Sequence, residues 1–401
     1  MKLLLTSIFI YTIGGAFAQD QWLQVDSING APRSVATSFV LNGEGYAIGG
    51  LDIDGFKRKM YSYDYVTDDW DDEESIGGAN GDGLNRGSAS AFSAHGKGYV
   101  CLGQGLSNGF FKDLWEYDPI THTWSQKANF MGSARRQAVA FSIDNIGYVG
   151  TGYDANGFTK DFYKYDPTTN AWTQLNDFGG TARKEAVGFS MGAQAYVGTG
   201  DDGVLKSDFW EYVAATDQWV QRADFPGTPR KGAVGFGMFP QAFVATGEDN
   251  TFNYTNDVWE YNYWTNAWVQ RTNFVGPGRS NAISFVLGDV AFVGSGYDGT
   301  SFLDDMYAYR ALLGVDELEK YSNIHAYPNP ASNSVSINVE TNDLSLRLFA
   351  IDGRELTNNL NIQKTNNNFV IDRNDLPSGS YSIRLEHSIH GNVYQGKVLF
   401  L

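Results

Sequence analysis

Apolar positions along the chain fall in short alternating runs of about five residues, each closed by glycine or by polar turn residues, with no sustained 3.6-residue period. This pattern predicts many short strands and no long helix. Between Trp22 and Tyr309 the runs recur with a period of about 49 residues, so the unit to explain is a repeat. Each unit opens on an arginine (Arg33, Arg86, Arg135, Arg183, Arg230, Arg279), with alanine three positions later and phenylalanine six positions later. A short apolar strand ending in glycine follows, as in Gly147–Gly152. Next come a polar loop and an alternating strand ending in tyrosine. Seven positions after that tyrosine stands a tryptophan: Trp70, Trp124, Trp172, Trp219 and Trp268.

Four strands per unit, bounded by turns, describe one blade of a propeller. The last tyrosine, Tyr309, has no tryptophan after it, but Trp22 stands alone near the start. Trp22 precedes Arg33 by eleven residues, the spacing from Trp124 to Arg135, Trp172 to Arg183, Trp219 to Arg230 and Trp268 to Arg279. The strand around Trp22 is therefore expected to complete the sixth blade and close the ring, which leaves no open sheet edge. Small residues on the first strand suit the crowded axis. The tryptophans are expected to fill space between blades, each worth about 3–5 kcal/mol.

The order of apolar strand, glycine pair, tyrosine and tryptophan resembles the kelch repeat over about residues 20–313. Gly49-Gly50 is the intact double glycine; elsewhere it is reduced to Gly152, Gly200, Gly296 or Gly247. The resemblance implies an all-β chain with a six-bladed kelch-type β-propeller over 19–313. It carries no function with it, because propellers host unrelated activities.

The ends of the chain read as address labels. Met1-Lys2, an apolar run and Ala16-Phe17-Ala18 before Gln19 predict a signal peptide over 1–18, cleaved between Ala18 and Gln19. Residues 314–324 read as a linker, and 325–401 as a small β-sandwich. Tyr327-Pro328-Asn329-Pro330, the turn at Gly353, the strand containing Gly379 and Tyr381, and the basic-apolar terminus at Lys397 resemble the type A sorting domain of the type IX secretion system. That resemblance implies the type IX secretion machinery as a partner. It also implies a secreted protein, or one on the outer-membrane surface of a Bacteroidota-type bacterium; the apolar runs themselves predict no transmembrane segment once the signal is removed.

Charge and cysteine content narrow the function. A formal charge of −17 argues against nucleic acid, since phosphate binding needs surplus lysine and arginine. Cys101 is the only cysteine, so no intrachain disulfide forms, and its apolar strand marks it as a buried thiol. Kelch-like copper oxidases that act on galactose need two histidines and a cysteine–tyrosine crosslink. Here His95, His122 and Cys101 lie outside the loops that would carry them. No cofactor or metal is expected, although the acidic loops have the oxygen donors that calcium uses.

Candidate ligand contacts concentrate in the loops between second and third strands. These are Asp52 and Asp54, then Asp154, Asn156 and Phe158, then Asp201 and Asp202, then Asp249 and Tyr254, and finally Tyr297 and Asp298. Aromatic faces can stack on sugar rings while carboxylates accept hydroxyl hydrogen bonds, but Asp-Gly and Asn-Gly are first of all turn formers. The repeated arginines read either as anion contacts or as ties to a neighbouring blade's carbonyls. The stretch from Trp70 to Arg86 is five residues longer than its counterparts and reads as an acidic, glycine-rich insertion. The expected function is a non-catalytic module binding glycan or protein. The alternative is a carbohydrate-modifying enzyme of the sialic acid mutarotase or epimerase kind, which needs arginine and acid–base groups in the mouth of the ring.

Overall fold

The structure is a computed structural model. It describes residues 20–81, 84–106 and 109–311, and in the C-terminal part 326–327, 331–338, 344–350, 356, 362–365, 368–373, 376–387 and 393–400. The signal residues Ala18 and Gln19, the linker, Pro328, Asn329, Pro330 and Gly353 lie outside the described residues.

Six four-stranded antiparallel sheets occupy residues 21–310. Blade three shows the plan: Val139–Ile143, Ile146–Gly150, Phe162–Asp166 and Ala171–Gln174 run from the axis outward. Blade six takes three strands from its own repeat, and Gln21–Val25 pairs along Phe302–Arg310 with Trp22 opposite Tyr309. The alternation read from sequence sets which faces are covered. Phe39, Phe92, Phe141, Phe189, Phe236 and Phe285 are all buried between blades.

Two rings of backbone hydrogen bonds join the blades. In one, six residues with left-handed φ of 51–60° donate N–H to the carbonyl of the residue before them around the axis, at 2.8–3.2 Å. The order Val35, Ser88, Gln137, Glu185, Gly232, Asn281 returns to Val35. In the other, Gly50, Gly103, Gly152, Gly200, Gly247 and Gly296 donate to the carbonyl of the next blade's repeated arginine at 2.7–2.9 Å. Their φ values are 94–112°, and an added Cβ would lie 2.8–3.1 Å from a backbone carbonyl oxygen. This close approach explains the partial double glycine. The second glycine has no room for a side chain, while Leu102, Thr151, Thr199, Thr246 and Ser295 stand at the first.

The arginines tie strands within a blade, which corrects the expectation of bonds from their side chains to the neighbour. Arg183 shows the pattern: Nε donates to Thr181 O at 3.1 Å, Nη1 to Thr199 O at 2.9 Å, and both terminal nitrogens to Asp208. Asp113, Asp161, Asp257 and Asp305 do the same for Arg86, Arg135, Arg230 and Arg279. All six arginines are buried, so none offers its charge to a ligand. Phe130, Phe178, Phe225 and Phe274 lie beneath four of the guanidinium groups at 4.8–5.2 Å.

The tryptophans clamp neighbouring blades as expected, but less deeply. Trp70 is buried and Trp22 nearly so, whereas Trp124, Trp172, Trp219 and Trp268 are half-buried. Five of the six indoles reach back to the residue four past the previous blade's tryptophan. Trp70 donates to Asp26 O, Trp124 to Glu74 O, Trp172 to Ala128 O, Trp268 to Ala223 O and Trp22 to Thr272 O. Trp219 Nε1 has no acceptor. The acidic insertion is built into the fold, since Ile76 is buried and Arg58 donates to the carbonyls of Ile76 and Gly78 at 3.1 and 2.8 Å.

The C-terminal part forms two sheets around one core. One contains Ala326–Tyr327, Ser334–Asn338, Asn368–Asp372 and Ile362–Thr365; the other contains Leu344–Ala350, Gly379–His387 and Val393–Phe400. Val335, Ile337, Leu348, Phe369, Ile383 and Phe400 fill the space between them. Of the sorting-motif positions, Tyr381 donates to Pro377 O at 2.7 Å, and Lys397 pairs with Ser382 in the strand ladder.

Candidate functional site

The first strands of the blades line an axial cavity of about 520 Å³ that contains no ionisable side chain. Serine hydroxyls there are spent on adjacent blades, as Ser38 is on Ser284 O and Ser142 on Ser93 O. Ionisable groups gather instead at the mouth, where the loops between second and third strands meet the residues that follow each arginine.

Most of the predicted carboxylates hold their own turns. Asp52 accepts from the N–H of Asp54 at 2.9 Å and pairs with Lys57 at 3.0 Å; Asp54 is exposed. Asp154 accepts from Asn156 N–H and from the Ser133 hydroxyl, leaving Asn156 exposed and Phe158 edge-on to Tyr153. Asp201 accepts from Gly203 N–H, while Asp202 accepts from Val204 N–H and from Lys206 at 2.8 Å. Asp249 takes three donors from Thr251 and Asn253, and Asp298 three from Thr300 and Ser301. Burial opposes ionisation of Asp249 and Asp298, yet these local donors hold both carboxyls below the usual range. The turn-forming role accounts for these residues without a ligand.

Two predicted residues do converge. Tyr254 and Tyr297 meet edge to face, with centroids 5.9 Å apart and planes at 81°. With Phe302, Ile53 and Pro32 they wall a cleft of about 640 Å³ between blades five, six and one. Ser34, Ser280, Asn281 and Glu248 supply its polar groups, and Glu248 faces Lys231 at 3.5 Å.

Across the mouth, blades three and four present a different surface. Gln137 donates its amide to Glu185 at 2.7 Å, and Lys184 Nζ lies 3.4 Å from the other carboxylate oxygen. Arg136 lies between the rings of Phe110 and Tyr153. Arg136, Gln137, Lys184, Glu185, Ser280 and Asn281 belong to no motif and are not among the candidates read from the sequence. Their signal was the variation, from blade to blade, of the two residues after each invariant arginine.

Cys101 is buried, and burial pushes its thiol well above the ordinary range, which removes it as a nucleophile. His122 bonds the Tyr117 hydroxyl and Glu73, away from the loops just described.

The kelch motif matches residues 134–179, which contain blade three from Arg135 to Phe178. The secretion system C-terminal sorting domain matches residues 325–398. A solved structure of YjhT superposes with a TM-score of 0.60 at 18% identity, covering 71% of this chain and 96% of that one. Identity at that level speaks for the fold alone. No curated protein matches the chain. The chain is a kelch-repeat β-propeller followed by a type IX secretion sorting domain. The sorting domain marks it for export to the surface or exterior of a Bacteroidota-type bacterium, with the type IX machinery as partner. Among the described residues no helix is long and apolar enough to cross a membrane.

Proposed function

We propose that the exported propeller is a non-catalytic glycan-binding module whose ligand sits in the cleft of Tyr254, Tyr297 and Phe302. The observation that carries this reading is the cleft itself. Its volume of about 640 Å³ is in the range of small-ligand sites, and it sets three aromatic rings beside hydroxyl, amide and carboxylate groups. A sugar presents both surfaces these groups match: C–H faces for stacking and hydroxyls for hydrogen bonding. Support for binding over catalysis comes from the mouth's two inner glutamates. Glu185 is occupied by Gln137 and Lys184, and Glu248 by Lys231, so neither stands ready as a free general base.

A glycan array probed with residues 19–313, followed by Tyr254→Ala and Tyr297→Ala, tests the reading. It expects a defined set of hits that both variants weaken; a uniformly blank array contradicts it.

Glu185 is bound by Gln137, the residue after Arg136, and this favours one second reading, a sugar mutarotase or epimerase. Anomer interconversion followed by NMR separates the two, because the binding module leaves the spontaneous rate unchanged.

A further inference from the structure

Several cations around the mouth of this acidic chain are matched by carboxylates. Lys57 pairs with Asp52 at 3.0 Å, Lys206 with Asp202 at 2.8 Å, Lys231 with Glu248 at 3.5 Å, and Lys184 with Glu185 and Asp201 at 3.4 and 3.9 Å. Among the described residues no carboxylate lies within ion-pair distance of Arg136.

Comparing blades shows what is missing. The residue after the buried arginine forms a short ladder with the loop that follows the second strand. Blade four pairs Lys184 with Asp201 there, and blade five pairs Lys231 with Glu248. Blade three has Arg136 in the cation's place and Tyr153 in the acid's. Blades four and five thus place a counter-ion there, while blade three, like blade six with Tyr297, places an aromatic ring. The guanidinium lies 5.7 Å from the centroids of both Phe110 and Tyr153. Its Nη1 donates to Gln104 Oε1, and its Nε is buried without an acceptor. Lys184, itself paired with Glu185 and Asp201, approaches the Tyr153 ring at 5.8 Å. Holding a half-buried cation without a counter-ion is unfavourable, and attraction to the two ring quadrupoles offsets part of that cost.

We infer that Arg136 is the subsite for an anionic group on the ligand, specifically the carboxylate of a uronic acid residue in an extracellular polysaccharide. This rests on the mouth being a glycan site. The fork of guanidinium N–H donors pairs bidentately with a carboxylate.

The test measures binding of the full mature chain to polygalacturonate, to its neutral methyl ester and to dextran sulfate. Wild type is expected to bind polygalacturonate at least about tenfold more tightly than the ester. Arg136→Gln is expected to lose that advantage while its affinity for the ester stays unchanged, and Arg136→Lys to recover part of it. An unchanged melting temperature in Arg136→Gln establishes that the variant folds. Equal affinity for acid and ester, or an Arg136→Gln variant indistinguishable from wild type, overturns the inference. So does tighter binding of dextran sulfate than of polygalacturonate. If Tyr297→Ala abolishes binding to a neutral glycan while Arg136→Gln changes nothing, the inference fails and the glycan reading stands. Binding insensitive to both tyrosines removes the glycan reading itself.

Discussion

Arg230 donates from both terminal nitrogens to the two carboxylate oxygens of Asp257, at 2.6 and 2.8 Å, with the guanidinium almost wholly out of solvent. Nη1 also reaches Thr246 O at 2.9 Å, so one side chain fastens the first strand of blade five to the second and third. Removing one partner leaves a buried charge unmatched. Asp257→Ala is expected to destabilise the propeller by about 3–5 kcal/mol in urea unfolding. A loss below 1 kcal/mol contradicts the tie.

Blade one lacks this pair, because Lys59 stands where the other blades have aspartate. Arg33 donates instead to Ala31 O, Gly49 O and the Tyr61 hydroxyl, and Lys59 pairs with Asp72 at 2.9 Å. Lys59→Asp restores the five-blade pattern and is expected to stabilise the chain by about 1 kcal/mol. Thermal unfolding of the variant checks this; a lowered melting temperature means Tyr61 has closed the position.

The same aspartates set the acid limit. Burial raises the carboxyls of Asp161, Asp208 and Asp257, but hydrogen bonds and charge from Arg135, Arg183 and Arg230 outweigh it and hold all three below the usual range. A depressed folded-state pKa gives stability that is complete above the unfolded value near 4 and is lost as pH falls through the folded one. Urea midpoints are therefore expected to stay level down to about pH 5 and to fall steeply below pH 4. Asp257→Asn is expected to flatten that fall.

The tryptophans give a comparison internal to the ring. Trp172 donates to Ala128 O at 2.9 Å, while Trp219, at the equivalent position of blade four, has no acceptor. Replacement by phenylalanine keeps most of the ring contact and deletes the donor. Trp172→Phe is expected to cost about 1 kcal/mol more than Trp219→Phe. Equal losses in paired unfolding curves contradict the assignment of the indole bond.

Much of the architecture was legible because ring closure imposes periodicity. Strand count, the role of Trp22 and the glycine positions all follow from spacing. The arginine's partner was harder to see. Asp113, Asp161, Asp208, Asp257 and Asp305 each stand four residues before a blade tyrosine, but Lys59 breaks the series. The mouth was less legible still. Asp154 and Asp298 looked like ligand contacts because acid-glycine loops suit both turns and binding, and hydrogen bonds settle such loops only in three dimensions. Tyr254 and Tyr297 are nearly a full blade apart in sequence, so their shared cleft has no local signature. Arg136 and Glu185 are visible only as departures from the repeat.

The sorting domain is expected to act on export rather than on the propeller's fold, since its core is separate. Deleting residues 315–401 should leave a folded propeller in the periplasm. Cell fractionation checks this, and truncated protein outside the cell contradicts it.

The most direct measurement is the dissociation constant of wild type and Tyr297→Ala for the glycan that binds best, by isothermal titration with the melting temperature of each as control. Loss of one stacking face at about 1–1.5 kcal/mol corresponds to a roughly tenfold weaker constant. An unchanged constant in a folded variant places the ligand elsewhere and contradicts the cleft as the binding site.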